Sequence, residues 1–269
     1  MSITRTEYVL YGVITVTGVL LLITIAMLWL GTERGQSDLS AGADPTEPVR
    51  FSTLDGRDEA AYYGTDLRMQ IFSGVDPSAY AIDPPPRSRL ESDLAVLRER
   101  ESERTSELLT QAQREYRNVY FMRLPSGEDL QARLDASAAN LTKQGFAELL
   151  QELEEYGLRL KSTADAPHVS QLDPELPAFV TPYRPGYPSL PTMRAELVAL
   201  VMADLDPERA SEYAAAAAAL ADRFEVAGVV YPAANAAATQ YAQVFYDVIS
   251  EHRAYSLLRT SAQPEWSTQ

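Results

Sequence analysis

An uncharged stretch of 23 residues, from Tyr8 to Leu30, constrains the fold of this chain more than any other feature. As a helix it is roughly 34 Å long, enough to cross a bilayer hydrocarbon core of about 30 Å. Tyr8 and Tyr11 lie near one end and Trp29 near the other, and such amphipathic rings prefer the headgroup region. The stretch therefore predicts a single transmembrane helix with interfacial aromatic residues at both ends.

A cleaved signal peptide is the alternative interpretation of this stretch. The apolar region of a secretory signal is about 7–15 residues long and ends close to a small-x-small cleavage site. Here the apolar run is longer, and the only such site, Ala41-Gly42-Ala43, lies well beyond Leu30. We therefore expect an uncleaved signal anchor.

Flanking charges predict the orientation of the anchor. Arg5 and the amino terminus precede it, opposed only by Glu7, whereas Arg34 lies in a flank with an excess of acids. Because positive flanks stay in the cytoplasm, we expect the large soluble part outside it. The 23 basic residues include only two lysines, Lys143 and Lys161, and alanine is abundant, as in a GC-rich bacterial genome. The expected location is a bacterial inner membrane with the soluble domain in the periplasm.

Small residues line one face of the predicted anchor. In lipid, small side chains let a second helix approach closely, although ordinary use of Gly and Thr in a membrane helix is an alternative explanation. We expect this face to pack on at least one transmembrane helix of a partner. The predicted helix-packing residues are Gly12, Thr15, Gly18, Leu22 and Ala26.

Beyond the anchor, composition predicts a mainly α fold: a helical soluble domain with long irregular segments rich in Pro and Tyr. Five regions are expected along the chain. They are a tail and anchor at 1–35, a linker and irregular aromatic segment at 36–86, long helices at 87–162, a Pro-rich extended arm at 163–192, and an Ala-rich helical bundle at 193–269.

Apolar spacing and capping signals predict the helices of the long-helix region. The first runs from about Ser88 to Tyr120, and the second begins at Ser126 as N-cap and continues to about Thr142. Gly145 is expected to interrupt the pattern, which resumes from Phe146 to Leu160.

Proline marks three helix starts in the bundle region. Pro191 opens one helix, Asp206 is expected to cap a second that runs toward Gly228, and Pro232 opens a third that ends near Thr260.

Aromatic residues recur in the two irregular segments, and the second holds seven prolines between Pro167 and Pro191. Tyr and Phe need a surface on which to bury their rings. The Pro-rich segment is either a connection between helical halves or an arm along a neighbouring subunit, and the sequence favours neither. The candidate partner-contact residues are Phe51, Tyr62, Tyr63, Phe72, Tyr80, Phe179, Tyr183 and Tyr187.

Residues that carry chemistry are scarce in this chain. It has no cysteine and two histidines, His168 and His252, in separate segments, and it lacks the glycine-rich nucleotide motifs. We therefore expect no cofactor, no metal and no catalytic residue. The formal charge of −15 also disfavours a nucleic-acid partner.

These features together predict a non-enzymatic, membrane-anchored accessory subunit that stabilises a larger membrane complex through its helix and its arms. A photosynthetic reaction centre or a respiratory complex would be a suitable host. Two alternatives remain open: an independent periplasmic scaffold or assembly factor with a helical protein-binding domain, and a membrane-tethered enzyme of unknown type.

Overall fold

The computed structural model describes residues 44–51, 83–136, 140–179, 185–251 and residue 255. The chain divides into two units, Met1–Ala43 and Asp44–Gln269. The first unit, with the predicted anchor and its helix-packing residues, lies outside the described residues. The five predicted regions stay predictions.

The second unit is built from helices, and no strand forms among the described residues. This confirms the mainly α prediction for that part of the chain. The helices are α1 (Arg87–Glu99), α2 (Ser106–Arg117), α3 (Leu130–Ala136), α4 (Asn140–Ala164), α5 (Val169–Leu172), α6 (Leu190–Leu205), α7 (Ala210–Val226) and α8 (Pro232–Ser250). Single 3₁₀ turns follow α1, α2 and α6, at Arg100–Glu103, Val119–Phe121 and Pro207–Arg209.

Helix α6 is the centre of the core, and it packs against α4, α7 and α8. Its start follows the prediction: the Ser189 hydroxyl accepts a hydrogen bond from the Thr192 amide, and Pro191 lies in the first turn. Gly157 lets α4 lie close to α6, because a Cβ at this position would be 2.7 Å from Leu190 Cδ1. On α7, Ala216 and Ala217 are fully buried and give α6 a small-residue face to pack on.

The prediction of one continuous helix from Ser88 to Tyr120 is wrong. The helical path breaks between the 3₁₀ turn and α2, where Thr105 caps α2 by accepting a hydrogen bond from the Leu108 amide. Arg104 turns inward at the break and donates to the carbonyls of Leu97 and Val226. These carbonyls lie near the carboxyl ends of α1 and α7, where backbone acceptors lack helical partners. One arginine thus satisfies two helix ends, which a continuous helix would not allow.

Two other predicted boundaries are also wrong. Ser126 does not cap a helix; it lies in a turn in which Gly127 N donates to Leu124 O, and α3 starts four residues later. Gly145 does not interrupt, because α4 runs through it from Asn140 to Ala164. A glycine inside a helix costs about 1 kcal/mol relative to alanine, which burial of the apolar face of so long a helix offsets.

The last helices differ from prediction only at their ends. Asp206 precedes the 3₁₀ turn but its side chain does not cap it, since that carboxylate bonds elsewhere. Pro232 starts α8 as predicted, but the helix ends at Ser250 rather than near Thr260. Among the helices that the structure describes, none is both long and apolar enough to cross a membrane.

Candidate functional site

The described residues include three of the eight aromatic residues predicted to contact partners. Phe51 and Tyr187 are each 5% exposed, and Phe179 is half-buried with its ring edge-on to Tyr116, 5.7 Å between centroids. These three rings therefore pack within the domain of their own chain. The other five, Tyr62, Tyr63, Phe72, Tyr80 and Tyr183, lie outside the described residues, as do the interfacial residues Tyr8, Tyr11 and Trp29.

The segment 44–51 is fixed to the start of α1. The Arg87 amide donates to Glu47 O at 3.3 Å, and the Ser88 amide donates to Pro45 O at 3.0 Å. The first amides of a helix have no intrahelical acceptor, so these two carbonyls supply the missing partners. Val49 is also buried. This end of the predicted linker therefore belongs to the helical domain.

Both irregular segments attach to the carboxyl end of α4. The Phe51 amide donates to Asp165 O, and the Gly186 amide donates to Ala166 O, each at 2.7 Å. The buried Lys161 donates from Nζ to Pro185 O at 2.7 Å. We name this set of six residues the arm junction: Phe51, Lys161, Asp165, Ala166, Pro185 and Gly186. It brings together two segments more than 130 positions apart in the sequence.

Local backbone geometry explains the residue types at the arm junction. Gly186 lies so close to the backbone of residues 167–168 that a Cβ at this position would be 2.5 Å from Pro167 O and 2.9 Å from His168 Cα. Asp165 has φ of 47°, a left-handed conformation that ends α4 and redirects the chain. Only glycine fits at position 186 without a shift of backbone.

Tyr187, the residue after Gly186, connects the arm junction to the core. Its ring stacks on that of Tyr231 with centroids 6.4 Å apart and planes 6° apart. Two residues on, the Ser189 amide donates to Ala234 O at 3.1 Å. The Pro-rich segment is thus held by α4 on one side and by the start of α8 on the other.

A buried hydrogen-bond network joins α6, α7 and α8 next to this stack. The Ser189 and Thr192 hydroxyls lie 2.8 Å apart, and Thr192 donates to Asn235 Oδ1 at 2.6 Å. The Asn235 amide donates to Ala221 O at 3.0 Å and to the Glu225 carboxylate at 2.9 Å. Burial raises the pKa of Glu225 above its ordinary value, and the hydrogen bond from Asn235 opposes this shift.

Asp93 connects α1 to the same end of α8. Asp93 is 2% exposed, and its carboxylate accepts a hydrogen bond from the Ala233 amide at 2.8 Å, in the first turn of α8. A negative charge at a helix amino terminus is stabilised by the helix dipole. Burial nonetheless raises the pKa of Asp93, while the Ala233 amide and Arg89 act in the opposite direction.

Asp206 is the centre of another buried cluster. Its Oδ2 accepts from Arg133 Nη2 and from the Tyr213 hydroxyl, each at 2.8 Å. Burial raises the pKa of Tyr213 to about 12, so the phenol stays protonated and remains a donor at neutral pH. The carboxylate thus links α3 to α7 instead of capping a helix.

The two buried carboxylates described above connect helices. Asp93 and Asp206 accept hydrogen bonds from backbone, arginine or tyrosine donors. Within the described ranges, no three His, Asp or Glu side chains are grouped so as to hold a metal ion. The chemistry that this arrangement supports is rigid positioning of helices and arms. Sequence reasoning missed these connections. A local signal for them is an acid within an apolar helix face, such as Asp93 between Leu90 and Leu97.

Comparison with known proteins adds no family to these observations. No protein-family model matches the sequence, and no curated protein matches it either.

Proposed function

We propose that this chain is a non-catalytic accessory subunit of a larger bacterial membrane complex, held by one transmembrane helix. The arm junction is the observation that supports this proposal most directly. The Phe51 and Gly186 amides donate to adjacent residues, Asp165 and Ala166, so both irregular segments are fixed to one place on the domain. A subunit that stabilises neighbours from outside needs a stiff body to which its irregular segments are fixed at defined places.

Buried connections between helices supply the stiffness that this role requires. Arg223 of α7 holds Glu115 of α2 by two hydrogen bonds, and Asp93 of α1 holds the start of α8. Such fully paired networks favour a single arrangement of helices, because each alternative leaves a buried polar group without a partner. The domain can therefore hold the described attachment points of its arms, Phe51 and Gly186, in one arrangement.

Purification in a mild nonionic detergent tests the proposal. An accessory subunit should co-purify in fixed stoichiometry with a membrane complex, and a pigment- or haem-containing complex would identify a photosynthetic or respiratory host. Recovery of the chain as a free monomer would contradict the proposal and support an independent periplasmic scaffold.

Substitutions in the predicted anchor test whether its small-residue face takes part. Gly18→Leu places a large side chain where a partner helix would approach, and overpacking costs about 1–3 kcal/mol. We expect this variant to dissociate from the complex in detergent. Leu21→Ile, on the opposite face, is the matched control and should stay bound. Equal retention of both variants would assign binding to the arms alone.

Protease added to intact spheroplasts tests the proposed orientation. A domain on the periplasmic side should be degraded while cytoplasmic marker proteins survive. Protection of the domain until the inner membrane is broken would show the opposite orientation.

A further inference from the structure

The carboxyl-terminal turn of α2 carries two positive charges, on Arg114 and Arg117. Arg114 and Arg117 are exposed, and they lie on the same side of the helix because they are three positions apart. Neither forms an ion pair with a carboxylate in the part of the chain that the structure describes. By contrast, a carboxylate oxygen lies within 3.0 Å of each of Arg89, Arg98, Arg100, Arg133, Arg194, Arg209 and Arg223.

An aromatic ring holds one of these guanidinium groups in place. The Arg114 Cζ lies 4.6 Å from the centroid of the Phe121 ring, which is half-buried in the following 3₁₀ turn. The Gln111 side chain donates to Phe121 O at 3.2 Å and to Glu115 at 2.9 Å, and so fixes that turn to α2. Stacking on a ring occupies the face of a guanidinium but leaves its edge N–H groups available to an anion.

The helix dipole explains part of this arrangement and leaves part unexplained. Cations in the last turn of a helix gain about 0.3–1 kcal/mol from the dipole. That gain requires neither the stacked ring nor the lack of an ion pair at these two arginines among the described residues, in a chain with 38 acidic residues. Arginine and aromatic residues, phenylalanine among them, are enriched in the cores of protein interfaces relative to the rest of the surface.

From these observations we infer that Arg114, Arg117 and Phe121 form a docking surface, the α2 arginine patch, for an acidic segment of a partner protein. Carboxylates of the partner would pair with the edges of the two guanidinium groups, and its apolar or aromatic side chains would contact Phe121. An anionic membrane fits less well, because the formal charge of −15 repels a uniformly negative surface at longer range. A short acidic segment instead meets the local positive charge.

Binding of a labelled random copolymer of glutamate and tyrosine tests this inference, with the full chain in nonionic detergent micelles and fluorescence anisotropy as readout. We expect saturable binding that weakens as NaCl is raised from about 0.1 M to about 1 M, since screening then acts over about 3 Å. Arg114→Gln with Arg117→Gln should weaken binding by about tenfold or more. Phe121→Leu should weaken it by a smaller factor, because the guanidinium loses its support.

Arg98→Gln is the matched control, because this arginine is also exposed on a helix, at 60% of its side chain, but is paired with Asp173. It should bind the copolymer within about twofold of the original chain. Unchanged circular dichroism and melting temperature of the double variant would show that the fold is intact. Equal binding by the double variant and the original chain, or no saturable binding at all, would overturn the inference.

Two further outcomes would overturn the choice of partner. Self-association of the chain in sedimentation, abolished in the double variant, would place a second copy of this chain on the patch. Binding to phosphatidylglycerol vesicles as tight as binding to the copolymer would assign the patch to lipid. The copolymer assay needs no host complex, so its failure would leave the proposed accessory role standing, and loss of co-purification would leave the patch standing.

Discussion

Arg223 of α7 donates two parallel hydrogen bonds to Glu115 of α2, from Nε to Oε2 and from Nη2 to Oε1, each 2.7 Å long. The Glu115 side chain is fully buried, whereas that of Arg223 is 21% exposed. A paired arrangement of this kind fixes direction as well as distance. It therefore determines how α2 lies on α7, and its removal should lower the stability of the whole domain.

We expect Glu115→Gln to lower the free energy of unfolding by about 2–3 kcal/mol. Breaking a buried ion pair costs about 3–5 kcal/mol, and hydration of the partly exposed Arg223 reduces that figure. Thermal unfolding of the full chain in detergent, followed by circular dichroism, measures the change. Glu107→Gln, an exposed acid in the first turn of the same helix, is the control and should change stability by less than about 1 kcal/mol, the contribution of its charge to the helix dipole. Equal effects of the two substitutions would refute the role of the pair.

Asp93→Ala should destabilise the domain by about 1–2 kcal/mol, because the Ala233 amide loses its acceptor at the start of α8. Asp93→Asn keeps an oxygen acceptor without the charge, so it should recover most of the loss. Chemical denaturation midpoints of the two variants give the comparison. Ser92→Ala, an exposed neighbour, should be neutral, and an asparagine variant as unstable as the alanine variant would contradict the capping role.

Stability should rise as the pH falls from neutral toward the raised pKa of Glu225. Burial raises this pKa in the folded state above the unfolded value of 4.5, with Asp222 and Asp93 adding to the shift and Arg100 opposing it. The folded state therefore binds the proton more tightly than the unfolded chain does. The destabilisation caused by the buried charge is fully present above the folded pKa and is lost as the pH falls through it. Burial raises the pKa of Glu196 in the same direction.

Melting temperatures between pH 4.5 and pH 7, compared for the original chain and Glu225→Gln, test this pH dependence. Glutamine still accepts from Asn235 but carries no charge, so its melting temperature should vary less with pH. The exposed Glu208→Gln serves as control and should follow the original curve. A Glu225→Gln curve with the original slope would rule out this group as the source.

Gly186→Ala should loosen the arm junction. The added Cβ would be 2.5 Å from Pro167 O, so one of two backbone segments must move, and strain of this kind costs about 1–3 kcal/mol. We expect faster cleavage of the 167–191 segment in limited proteolysis, with a lower melting temperature. Glu175→Ala changes an exposed side chain in the same segment and should leave the cleavage rate unaltered. Unchanged cleavage of the alanine variant at position 186 would mean that this contact does not hold the segment.

The sequence by itself predicted the helical class and the starts of α6 and α8. Pro191 and Pro232 lie in the first turns of those helices because proline has a fixed φ and needs no amide partner there. Such signals act within a few residues, so they can be recognised without knowing what surrounds them.

The break before α2, the use of Asp206 and the arm junction were decided only by the tertiary structure. Arg104 reaches Val226, Arg223 reaches Glu115 and Phe51 reaches Asp165, each across more than 100 positions of sequence. Burial makes such partners energetically necessary, because a buried charge or amide without a hydrogen bond costs several kcal/mol. Which residues become partners depends on where the packed helices place them, and local patterns carry no record of that placement.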